Sequence, residues 1–252
     1  MDSRMKSWAR HDMTANMLAA ATMAVVICVS NATAQFLPQL QARTAEEYDA
    51  YLDVEDARGE ARIATSRRFL VAYPDSDLRL PVYEVLAEAC RLKGDAECAL
   101  SAAAKGLALT PDYIPLLTLL AAVDANVSPT PRKARSAALR AIELLGGATA
   151  PKRVDAEVWL RETARLRAEN LAALGIVAYK AGDSAGAVRS LEESLAAKVT
   201  PANQYRLAML YLDAGRTGDA RPLLERAAAD GDPPVKAMAG AALKKLRAAG
   251  AR

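Results

Sequence analysis

Histidine is all but missing from this chain: its 252 residues include one, His11, close to the N-terminus. If the segment that carries it is removed, no imidazole remains. That excludes serine or cysteine nucleophiles activated by histidine, histidine general bases and histidine-containing zinc sites. Aromatic residues make up 5 % of the chain, while alanine and leucine dominate. A β-sandwich needs aromatic and β-branched strands, so this balance points to an all-α protein. Blocks of one charge sign are lacking too. The formal net charge of +3 is spread with both signs interspersed, and no basic stretch is placed to track a phosphate backbone. No nucleic-acid partner is expected.

Long hydrophobic runs are scarce. The uncharged stretch from Met17 to Val29 follows Arg4, Lys6 and Arg10 and is short for a bilayer span of roughly 20 residues. Residues 1–34 therefore read as a signal peptide, with the small residues Ala32 and Ala34 placing cleavage between Ala34 and Gln35. The mature protein is then periplasmic or secreted, and a membrane contact is expected only if the leader is retained as an anchor. Cys28 sits inside the apolar run and lacks the small residues that precede a lipidated cysteine. Two of the three cysteines, Cys90 and Cys98, stay in the mature chain. They either form a disulfide in an oxidising compartment or lie as two small buried thiols in a helical core. With no histidine beside them they make a poor zinc site. No metal, cofactor or small-molecule substrate is expected.

What the chain does have is internal repetition, with a unit of roughly 33 to 34 residues. Three copies align. The first carries Tyr83, Leu86, Ala87, Cys90, Gly94, Asp95, Ala99, Ala103, Gly106 and Pro111. The second carries Leu171, Leu174, Gly175, Ala178, Gly182, Asp183, Ala187 and Leu191, and the third Leu207, Ala208, Tyr211, Gly215, Ala220, Leu224 and Ala227. Ala87, Gly175 and Ala208 face Ala99, Ala187 and Ala220 on a second helix, where small side chains let two backbones approach. Gly94, Gly182 and Gly215 suit the left-handed residue that ends a helix, and Asp95, Asp183 and Thr217 suit acceptors for the amides that open the next.

In order and spacing these positions resemble the tetratricopeptide repeat family. The resemblance implies a right-handed superhelical solenoid of stacked antiparallel hairpins over 44–248, following a short extended segment at 35–43. About five hairpins are expected, at 44–79, 80–113, 114–150, 168–200 and 201–232, with a capping helix at 233–248. The interval from Gly94 to Gly182 exceeds two periods, so an extra helical segment is placed at 152–167, continuous with the helix that follows. Its Arg161, Arg165, Arg167, Glu162 and Glu169 read as a salt-laced solvent face. The stretch Phe69 to Ser76 is similar to closing helices of repeats in bacterial envelope proteins of the Tol-Pal-associated and outer-membrane-assembly kinds.

Carried over position by position, the family's concave groove would be lined by Glu84, Glu88 and Arg91, by Ile176, Tyr179 and Lys180, and by Tyr205, Arg206, Met209 and Leu212. The lysine and asparagine pattern with which one subset of the family clamps a C-terminal carboxylate is absent: Glu84 and Glu88, Ala172 and Ile176, or Tyr205 and Met209 stand there. The resemblance implies a non-catalytic interaction or scaffold module of the bacterial envelope, binding a peptide or protein segment. A self-assembling structural subunit is the alternative. An enzyme is the remote one, with Asp53, Glu55 and Asp56 as its densest carboxylate cluster.

Overall fold

The structure, a computed structural model, describes residues 41–150 and 154–250. The leader with its cleavage site, His11 and Cys28, the start of the 35–43 segment and residues 151–153 lie outside the described residues. Within them are eleven helices and no strand. They are α1 (Ala45–Asp56), α2 (Gly59–Ala72), α3 (Arg79–Lys93), α4 (Ala96–Leu109), α5 (Ile114–Val127) and α6 (Arg132–Gly147). After these come α7 (Ala156–Lys180), α8 (Ser184–Ala197), α9 (Pro201–Asp213), α10 (Thr217–Asp230) and α11 (Pro233–Gly250). From α1 to α10 each odd-numbered helix packs against the even one that follows, each pair leans on the next, and α11 closes the stack on α10, giving a helical solenoid.

The hairpin turns repeat at atomic detail. Gly94, Gly182 and Gly215 have φ of 82°, 80° and 73°, a region closed to most side chains. In each case the residue after the glycine donates its N–H back to the carbonyl five residues earlier: Asp95 to Cys90, Asp183 to Ala178 and Arg216 to Tyr211, at 2.9, 2.9 and 2.7 Å. Such bonds satisfy carbonyls left over at a helix end. Asp95 then accepts from the Cys98 amide and Asp183 from the Gly186 amide, capping α4 and α8. The third turn departs from the expected pattern. Thr217 is the first residue of α10, not its cap; Arg216 occupies the cap position with no side-chain bond to the backbone.

Where the glycine is missing, another device appears. The proline-bearing loop between α5 and α6 has no glycine, and the buried Asp124 on α5 reaches over to accept from the Ala134 amide at 2.8 Å. One carboxylate both caps α6 and ties the hairpin closed. Across the α3–α4 turn, Cys90 and Cys98 are joined by a disulfide, with their Cα atoms 5.7 Å apart.

Small residues set the spacing inside each pair. Ala87, Ala99, Ala187, Ala208 and Ala220 are fully buried. A Cβ placed on Gly175 would lie 3.0 Å from Leu191 Cγ and 3.3 Å from the Ala187 carbonyl oxygen, so α7 and α8 approach more closely there than a larger residue permits. Gly240 in α11, by contrast, faces open space. Gly175→Val should therefore destabilise the fold by about 1–3 kcal/mol through overpacking, whereas Gly240→Ala should stabilise it by about 0.5–1 kcal/mol through helix propensity. Urea unfolding followed by circular dichroism measures both.

Candidate functional site

Stacking places α3, α5, α7 and α9 along one concave side, where they line a groove of about 760 Å³. Its shape comes from an irregularity. At 25 residues, α7 is far longer than its neighbours, because the 156–167 extension runs unbroken into the repeat helix. It packs along α5 but hardly touches α9, so the solenoid opens between α7 and α9. Asn170, fully buried, fixes α7 on α5 by donating its amide to Thr118 Oγ1 at 2.7 Å and to the Leu166 carbonyl at 2.8 Å.

The groove has a charged wall and an apolar floor. Leu119, Ala122 and Val123 of α5 and Ala172, Ala173 and Ile176 of α7 form the floor. On the α3 side, Glu88 accepts two bonds from Arg91 at 2.6 Å each. Opposite, Arg165 of α7 donates to Glu162 at 2.9 and 2.5 Å and to Glu169 at 2.6 Å. The sequence pattern puts Arg165 and Glu162 on a solvent face. Their side chains are instead 37 % and 22 % exposed, and Arg165 and Glu169 belong to the groove lining. The extension turns this charge cluster inward, a placement that helical spacing alone does not reveal.

Glu84 of α3 lies deeper, partly buried, and accepts a short hydrogen bond from the Tyr113 hydroxyl. Burial pushes its carboxyl up to about 6 from an ordinary 4.5, the Tyr113 bond opposing that rise. Glu55 and Glu162 reinforce the rise and Arg165 opposes it.

The other expected groove residues divide. Glu84, Glu88, Arg91, Ile176 and Arg206 line this groove. Tyr205, Met209 and Leu212 line a separate cleft of about 400 Å³ between α9 and α11, closed by Met238, Ala242 and Leu246. Tyr179, 52 % exposed, lines neither. Lys180 is held by the chain itself: its ammonium donates to the carbonyls of Asn126 and Ser128 at 2.9 and 2.8 Å, satisfying the end of α5. Asn203, Lys198, Thr118 and Ala122 also line the groove and carried no family signature. Among the described residues, no group of three or more histidine, cysteine, aspartate or glutamate side chains is arranged to hold a metal ion.

Among solved structures, the chain is similar to a thermophilic TPR protein from Thermus thermophilus. The two superpose with a TM-score of 0.52 at 22 % sequence identity, over 78 % of this chain and 98 % of that one. That likeness shows the fold to be a tetratricopeptide-type helical solenoid. No family model matches the sequence, and no curated protein does.

The raised Glu84 carboxyl gives a pH signature. A folded-state value above the unfolded one means that the group's contribution is fully present below pH 4.5 and is lost as pH climbs through about 6. Glu84→Gln keeps an acceptor for Tyr113 and removes the buried charge. The variant should match wild type near pH 4.5 and exceed it at pH 7.5 by up to about 2 kcal/mol, less in proportion to solvent access. Thermal melts of both proteins across this range check the sign.

Proposed function

We propose that this protein is a non-catalytic binding module that seats an extended peptide or protein segment in the groove between α3, α5, α7 and α9. One observation carries the reading: a rigid, open trough with an apolar floor between charged walls. It is built from four helices whose positions are fixed by the solenoid rather than by loops. A peptide gains from such a trough by burying side chains against Leu119, Ala122 and Ile176, while the charges on either wall select its sequence and direction. Preorganised walls lower the entropy lost on binding.

Ala122 offers a direct test, since its side chain projects into the groove while its carbonyl serves Asn126. Peptides selected from a displayed random library on the wild-type protein should bind Ala122→Trp at least about tenfold more weakly, the ring filling the floor they need. Equal binding to both proteins, or a library from which nothing is selected, would overturn the proposal.

An envelope or secreted location is part of the same proposal. The Cys90–Cys98 disulfide supports it, because such bonds persist in oxidising compartments and are rare in the cytosol. So does the export leader read at 1–34. Intact-mass and peptide analysis of protein from its native host, alkylated without reductant, should give an N-terminus at Gln35 with both thiols unmodified. A chain still carrying 1–34 with Cys90 and Cys98 both alkylated would sink this part alone.

A further inference from the structure

The charges lining the groove do not cancel locally. Glu88 is bound to Arg91, Glu169 to Arg165, and Glu84 takes a hydrogen bond from Tyr113. Two cations are left at the α9 end, Arg206 in the groove and Lys198 at its rim. Neither has a carboxylate within ion-pair distance among the described residues. Exposed lysines without partners are common and carry no message. Arg206 is different: it is partly buried, and the loss of water around it holds its guanidinium below the ordinary arginine value. Removing a cation from water without a counter-charge is unfavourable, so a group kept in that state needs either a use or a compensation elsewhere.

The surrounding hydrogen bonds hold this guanidinium in one orientation. Arg206 donates one N–H to Asn203 Oδ1 at 2.8 Å. Asn203 Nδ2 donates to Ser194 Oγ at 2.9 Å, and Ser194 donates on to the Ala168 carbonyl at 2.8 Å. Because the Ser194 proton points to a carbonyl, Ser194 must accept from Asn203, which fixes the amide with its oxygen toward Arg206. Asn203 and Ser194 are both buried, so the relay from α7 through α8 to α9 is rigid. One of the five guanidinium N–H donors is thereby anchored, and none of the rest has a partner among the described residues. The guanidinium lines the groove at its α9 end, where α7 and α9 make few contacts.

We infer that Arg206, positioned by Asn203 and Ser194 and aided by Lys198, is the specificity anchor of the groove and pairs with an aspartate or glutamate side chain of the bound segment. A planar guanidinium accepts a carboxylate through two parallel bonds, and it does so most strongly where water is already excluded. The inference rests on the groove being a peptide site. It adds the chemistry of the segment: acidic at the residue that meets α9, apolar where it crosses α5.

The test uses the full chain and a random peptide library displayed through the peptide C-terminus, so that no free terminal carboxylate is offered. Peptides retained by wild type and weakened by Ala122→Trp should be enriched in aspartate or glutamate at one position. Replacing that residue by its amide should weaken binding to wild type at least about tenfold, a measurement that needs no protein variant. Arg206→Gln should lose the enrichment while still selecting apolar peptides, and Arg206→Glu should turn it toward lysine or arginine. If peptides sensitive to Ala122→Trp show no acidic preference, or if the amide peptide binds wild type as well as its parent, the anchor is refuted and the groove reading stands. Selection of no peptide at all refutes both.

Discussion

Two helix backbones can lie side by side only as closely as their bulkiest facing residues allow. In this protein that distance is set by Ala87 with Ala99, Gly175 with Ala187, and Ala208 with Ala220. All the alanines in these pairs are fully buried. With such a tight contact repeated in α3–α4, α7–α8 and α9–α10, the first helices of these hairpins fall on one side of the stack and the second helices on the other. The concave face is a geometric result of that repetition, and no residue of the groove has to create it. The tight contact also explains why the hairpin ends are so alike. Helices pinned at a fixed separation leave little freedom for the turn, and a left-handed glycine followed by a back-bonded amide fits the gap at Gly94, Gly182 and Gly215.

The groove lies where the repetition is broken. The extra turns of α7 carry Glu162 and Arg165 beside Glu169 of the repeat itself, and α7 makes few contacts with α9. Such a gap would weaken a repeat array, in which stability depends on contacts between neighbours. Two tethers offset it: Asn170 joins α7 to α5 through Thr118, and Ser194 joins α7 to α9 by donating to the Ala168 carbonyl and accepting from Asn203. Both run through buried polar groups whose bonds gain strength from low local polarity.

This division explains what could be seen in the amino-acid sequence and what could not. The repeats and their glycines follow from local chemistry, so position and residue type suffice to place α3–α4, α7–α8 and α9–α10. Cap chemistry was legible at Asp95 and Asp183 but not at Arg216, where the back-bond to Tyr211 closes the turn without side-chain help. The facing of Arg165 was not legible. Its periodicity fits a solvent face equally well, and only the bend of the stack decides which surface lies over α3. Nor does a repeat pattern show that Lys180 would be taken up by the carbonyls of Asn126 and Ser128, since those belong to a helix more than fifty positions away. Tyr205, Met209 and Leu212 sit at groove positions of their own repeat, yet α11 covers that end and turns them into the wall of a second cleft.

Lys180 and Arg206 show how one scaffold gives two cations opposite surroundings. Both lie on the first helix of a repeat, but only Arg206 lines the groove. Lys180 finds two carbonyls of its own chain at the end of α5. An ammonium among unsatisfied carbonyls strengthens the structure and leaves little capacity for a ligand. Arg206 finds an amide oxygen instead, held by a relay that fixes its direction without neutralising it. An amide can orient a guanidinium but cannot replace a carboxylate, because it brings no charge. The position is therefore geometrically settled and electrostatically unfinished. A folded protein tolerates that state at a site where another molecule completes it.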